Sequence, residues 1–363
     1  MTRTEHRPAH TQGTAISTDL RPTTNAGGPR RAASHVTASR ATRSGLVVLV
    51  LIAGGVALAL GEREAERPGL RDSVRLNDGL LQITRALSEV TAVGTVGILL
   101  VLAGLVPAGL LAAHPGRAAR LARLASRWAA AWAAASALRV ALTAADIAGV
   151  GLGELVRSGQ LSMIPVLPPA RALLSTTAVA VVVAVGARSA SSRVVGRTLL
   201  LLALAGLIPP LLTSHVGHQA GSALALASLT AHVPAVSLWV GGLMALVLHL
   251  RGWRPAMVAA LARFSPLAAA CCLVVAISGV VAAVDRLPGW QDLPATAYGQ
   301  LVLLKLAALV VLASFGALHR LRTLPAVVAG RERALLRLAG VELGVMAAAM
   351  GVAAALSTTT PPL

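Results

Sequence analysis

The sequence predicts an all-α, polytopic membrane bundle of about nine spans, and three observations carry that prediction. Hydrophobic residues make up 56% of the 363 positions and charged residues only 13%, with a mean hydropathy of +0.74. A soluble chain of this length carries a larger charged share. Apolar runs recur at the roughly 20-residue length that crosses about 30 Å of hydrocarbon, and no alternating-period strands suited to a barrel interrupt them. Arginine is concentrated in the N-terminal tail and in alternate loops, as in a chain threaded repeatedly through a bilayer.

Residues 1–44 are polar and rich in Arg, Thr and Ala, without an apolar period. They read as a disordered, basic cytoplasmic tail. The tail is too long and polar for the basic start of a cleaved signal, so the first apolar run is expected to stay as an anchor. Spans are expected at about 45–61, 91–113, 128–149, 169–187, 198–213, 228–250, 264–284, 299–318 and 338–356. Four of them lie in an N-terminal part, 45–197, and five in a C-terminal part, 198–363.

Charge orients the bundle. Arg117, Arg120, Arg123 and Arg127 follow the second expected span, and Arg188, Arg193 and Arg197 the fourth. Arg251, Arg254 and Arg263 follow the sixth, and five arginines between 320 and 337 the eighth. The intervening loops mix signs or lack charge. This pattern puts the N-terminus in the cytoplasm and the C-terminus outside. The net charge of +18 therefore reads as a topology signal rather than a nucleic-acid surface. The 2% aromatic content leaves little for base stacking. No nucleic-acid partner is expected; the lipid bilayer is.

The chemistry is concentrated in the stretch 214–249, SHVGHQAGSALALASLTAHVPAVSLWVGGLMALVLH. His215 and His218, three apart, share a face on a helical turn. Counting back from His249 and Arg251 at the inner end puts His232 just inside the outer interface, so all three imidazoles reach one outer pocket. An imidazole near lipid is costly unless it is used. The three are candidate metal ligands. Solvated interface histidines at 215 and 218, and a hydrogen-bonded core histidine at 232, are the plainer readings. Met244, Cys271, Met346 and Met350 are candidate soft contacts deeper in the bundle, since thioether and thiolate suit Cu(I). For each of them, packing is the plainer role. Adjacent Cys271 and Cys272 point about 100° apart on a helix and do not form a disulfide. Gly241 and Gly242 permit close helix approach. Glu342 is a candidate proton or cation relay, with a structural hydrogen bond as the alternative.

Four ordered pieces resemble a known family: GHQAGSALALASLTAHVPAVSLWVGGLMAL at 217–246, RFSPLAAACCLVVAISGVV at 263–281, TAYGQLVLLKLAALVVLASFGALHR at 296–320, and VELGVMAAAMGVAAALSTTTPP at 341–362. From about residue 200 the chain resembles the copper resistance D (CopD-type) family of bacterial membrane proteins. The resemblance implies copper handling at the bacterial plasma (inner) membrane, chiefly uptake. Copper ion is then the bound species, and a periplasmic copper-binding protein a candidate partner. Neither a Walker A motif nor an Asp-Lys-Thr-Gly loop occurs in the chain, so this chain alone does not drive transport with ATP, and no enzyme activity is expected. Two rivals stand beside this reading. A b-type haem carrier needs paired histidines on facing helices, whereas these three come from one hairpin. A copper-delivery factor for oxidase assembly is not separable by sequence.

Overall fold

The computed structural model describes residues 72–189, 192–213, 223–286, 289, 291–318 and 340–346. All of them belong to the compact unit Gly45–Leu363. Described residues form helices and turns and no strand. In chain order the helices are α1 (Asp72–Leu100), α2 (Ala108–Ala113), α3 (Pro115–Ala148), α4 (Leu152–Arg157), α5 (Pro168–Arg188), α6 (Arg193–Ala205), α7 (Pro209–Leu212), α8 (Ala223–His249), α9 (Arg254–Arg286), α10 (Asp292–Ala295) and α11 (Ala297–Leu318). A π turn, Val101–Leu105, extends α1. Residues 340–346 are also helical.

Seven described segments are long and apolar enough to cross a membrane. They overlap the second through eighth expected spans, but the second, expected at 91–113, runs from Asn77 to Leu105 and is broken at Val106, with Ala108–Ala113 a separate helix. The first, at 45–61, and most of the ninth lie outside the described residues. The fold is an all-α polytopic bundle.

The bundle is built around α1, which packs against α3, α6 and α8. In its span, 72% of the most apolar window is buried against other helices, against 11% for α9 and α11. Those two helices present Leu273, Ile277, Val280, Leu304, Leu306 and Val310 outward, as lipid-facing helices do.

One expectation needs correction. Residues 62–90 read as a loop, but α1 already runs from Asp72. Asp78, Arg85 and Glu89 lower the local hydropathy and mask the helix. They occupy its outer face, where Arg85 and Glu89 pair at 3.1 Å. The inner face is a stripe of small polar residues, Asn77, Thr84, Ser88, Thr91 and Thr95, all buried. Each is satisfied. Asn77 donates to the Val150 carbonyl at 2.9 Å, Ser88 bonds Ser136 of α3 at 3.0 Å, and the threonines donate to carbonyls one turn back. A buried but bonded polar stripe costs little, so the helix extends well beyond its apolar run.

The C-terminal end of α1 is shaped by Pro107. The residue before a proline avoids helical geometry, and Val106 is extended, with φ −87° and ψ 131°. The preceding π turn leaves carbonyls without helical partners. Three arginines from other elements take them. Arg197 Nε donates to Ala103 O at 3.2 Å, Arg263 Nη1 to Gly104 O at 2.9 Å, and Arg193 Nη2 to Val106 O at 2.7 Å. Cations at a helix C-terminus also oppose its dipole. Beside them, the Arg117 guanidinium stacks 5.0 Å above the Trp253 ring, which His114 meets at 5.3 Å. The loops expected on one side of the membrane thus touch one another. Asn77 and Val150 likewise join at the opposite end.

This clamp gives a prediction. Arg193→Ala should lower unfolding stability in detergent by about 1.5 kcal/mol, the scale of a hydrogen bond to a charged group. Arg120→Ala should change it little, because Arg120 caps no carbonyl among the described residues. Thermal or denaturant unfolding of the two variants checks this.

Helices α1 and α8 cross where Gly97 meets Gly241. A Cβ on Gly241 would collide with the Val93 carbonyl oxygen and lie 3.0 Å from the Gly97 nitrogen. One on Gly97 would strike the Gly241 backbone, with Cα at 2.9 Å. The two backbones touch directly, so neither position tolerates a side chain. Gly242 makes room for the Phe264 ring of α9.

Candidate functional site

Helices α8 and α9 form an antiparallel pair closed by a tight turn. Gly252 takes a left-handed φ of 72°, and Trp253 donates from its backbone to Leu250 O at 3.0 Å. Phe264 packs on Gly242 about midway between this turn and His232. The register so fixed sets His232 of α8 opposite Ser278 of α9 at the far end.

The contact there is polar and directional. His232 Nδ1 and Ser278 Oγ are 2.6 Å apart. Ser278 Oγ also donates to Val275 O at 3.0 Å. A hydroxyl has one proton: where that proton goes to Val275, the imidazole donates from Nδ1 and its lone pair is left on Nε2, the state in which a histidine binds a metal. Ser228, one turn earlier on α8, donates to the Ser278 carbonyl at 3.4 Å and adds a second tie between the helices. Ser278 is buried and His232 half-buried, so the ring is held without being sealed off.

The other candidates fall elsewhere. His215, His218 and Met350 lie outside the described residues. Among the described residues no three or more His, Cys, Asp or Glu side chains converge as a metal group. Met244 is buried in the main core, twelve positions along α8 from His232. That is roughly 18 Å of axis at 1.5 Å per residue, too far to share one ion. Cys271 is seven positions from Ser278, roughly 10 Å deeper along α9. It is a free thiol within the same core. Met346 and Glu342 are each 3% exposed, one turn apart on the helical stretch 340–346, and Met346 joins the core. Met244, Cys271 and Met346 therefore pack the interior, and helix rise separates Met244 from His232 and Cys271 from Ser278. His249 sits seventeen positions from His232, at the opposite end of α8.

Sequence reasoning missed Ser278 as a partner. Its signal was present in the Ser-Gly step at 278–279, but only the pairing register of α8 with α9 shows which histidine it serves.

Residues 258–356 match the family model of copper resistance protein D. The match takes in α9 from Val258, α11 and the stretch 340–346, and it includes Ser278, Cys271, Glu342 and Met346. It begins downstream of His215, His218 and His232, so the histidine stretch that resembles the family lies outside it. No curated protein and no solved structure was found to match the chain. Over residues 258–356 the C-terminal membrane helices of this chain are thus similar to the copper resistance protein D family.

Proposed function

We propose that this protein binds copper at the end of the bundle away from the arginine clamp, and helps move it inward across the bacterial plasma membrane. His232 is the anchoring ligand through Nε2, and His215 and His218 complete the site. Met244, Cys271, Met346 and Met350 are soft contacts along an inward path rather than ligands of the same ion. The protein acts as a binding and transport protein, not an enzyme, and a periplasmic copper-binding protein is its candidate donor.

The observation that carries this reading is the bond from His232 Nδ1 to Ser278. It ties a histidine outside the family match to a serine within it, and it engages Nδ1 rather than Nε2. Removing such an orienting partner typically weakens metal binding roughly 10- to 100-fold. Ser278→Ala should therefore weaken copper binding by that factor in purified protein and lower copper accumulation in cells. Unchanged binding would mean that the bond only joins two helices.

Orientation belongs to the same proposal, with the N-terminus cytoplasmic and the C-terminus extracytoplasmic. Reporter fusions after Arg197 and after Pro362 should read inside and outside respectively. Both on one side would overturn the nine-span count.

A further inference from the structure

At the basic end of the bundle, a cleft of about 370 Å³ opens between α3 and α5, lined by Arg123, Ser126, Arg127 and Arg188. Three exposed arginine side chains thus border one small volume. Among the described residues none of the three pairs with a carboxylate. Arg188 Nε donates to Ser126 Oγ at 3.4 Å, which ties α5 to α3 beside the cleft. Ser126 is 6% exposed. Among the described residues its own hydroxyl proton has no acceptor, so it is left to donate to an occupant.

The depth of the cleft is set by helix length. α5 has 21 residues and ends at Arg188. Its length of roughly 31 Å matches the hydrocarbon thickness, so Arg188 stands at the hydrocarbon edge. α3 has 34 residues and is roughly 20 Å longer than that thickness. Its first turns project beyond the edge and bring Arg127 to the level of Arg188, with Arg123 one turn further out. These arginines therefore sit where headgroup phosphates lie.

We propose that this cleft binds the phosphate of an anionic lipid headgroup. Guanidinium forks match phosphate oxygens in pairs, and three unpaired ones with a free hydroxyl supply donors to several oxygens at once. A phosphate dissolved in water offers the same oxygens. Two things favour lipid: the depth of the cleft, and its position between two spanning helices, where acyl chains can follow the apolar flanks of α3 and α5. The bound lipid would bridge α3 and α5 at the end where the loop arginines gather.

The test is a native mass-spectrometric titration of the detergent-solubilised full chain with phosphatidylglycerol, phosphatidylcholine or inorganic phosphate. The wild type should hold phosphatidylglycerol more tightly than phosphatidylcholine. Arg188→Gln should weaken phosphatidylglycerol binding roughly fivefold, the scale for one arginine at a charged membrane surface. Arg120→Gln, which removes the same charge from the same end but outside the cleft, should leave binding unchanged. Equal losses in the two variants would reduce the effect to bulk charge and overturn the site. An unaltered Arg188→Gln or equal binding of the two lipids would do the same. Inorganic phosphate bound as tightly as phosphatidylglycerol would overturn the lipid assignment. Circular dichroism of Arg188→Gln should match the wild type, since only one side-chain bond is lost.

Discussion

His232→Ala should abolish most copper binding by the purified protein, while His249→Ala should leave it near the wild-type level. Both histidines are half-buried residues of the same helix, α8, so the pair separates ligation from a general effect of losing an imidazole. His232 is the one whose Nδ1 is fixed by a serine of the neighbouring helix. A ligand loss exceeds an orienting-partner loss, so the effect should be larger than the roughly 10- to 100-fold expected of Ser278→Ala. The order His232→Ala, Ser278→Ala, His249→Ala is itself the prediction. Copper titrations in detergent at fixed pH read it directly. If all three variants bind alike, the histidines are structural, and the sulfur residues become the next candidates.

The second large effect is on folding. Gly241→Leu should prevent α1 and α8 from packing. The added side chain has no room to rotate away, because its Cβ already meets the backbone of α1. Overpacking of a well-filled core costs about 1–3 kcal/mol where side chains can give way, and more where they cannot. Here the obstacle is main chain, so a loss beyond that range is expected, seen as failure to purify as a single species. Gly109→Leu, at a glycine with open space around its Cβ, should behave like the wild type. Because α1 is the most buried spanning helix among the described residues, the defect should spread to copper binding as well. Normal folding of Gly241→Leu would mean that the crossing is looser than the backbone contact between Gly97 and Gly241 implies.

Much of the fold was legible in the sequence because lipid imposes two simple demands, apolar length and charge at the ends. The second through eighth spans follow from those alone. What escaped was structure that satisfies the bilayer by other means. The first turns of α1 hide behind Asp78, Arg85 and Glu89, since their buried face is made of Ser, Thr and Asn rather than Leu and Val. The π turn at Val101–Leu105 has no hydropathy signature. Its clamp uses Arg193, Arg197 and Arg263, which charge counting treats as interchangeable topology markers although each caps a different carbonyl. The two glycines after Trp239 were readable as a close-approach step, but not their partners, Gly97 for one and Phe264 for the other.

The candidate site was legible in kind rather than in geometry. An imidazole near the end of a spanning helix draws attention by its cost, and His232 has a purpose-built partner. Met244 and Cys271 were drawn in by their ligand chemistry, and helix rise alone separates them from His232. Spacing along one helix is read easily from sequence. The pairing of residue 232 with residue 278 depends on the turn at Leu250–Trp253 and on Phe264 settling over Gly242.

X-ray absorption at the copper edge tests the central claim most directly. Purified full-length protein would be loaded with copper and washed free of excess. The account predicts retained copper with imidazole nitrogen in its first shell, and loss of that signal in His232→Ala. A wild-type sample that retains no copper, or holds it in a shell of sulfur alone, would contradict it.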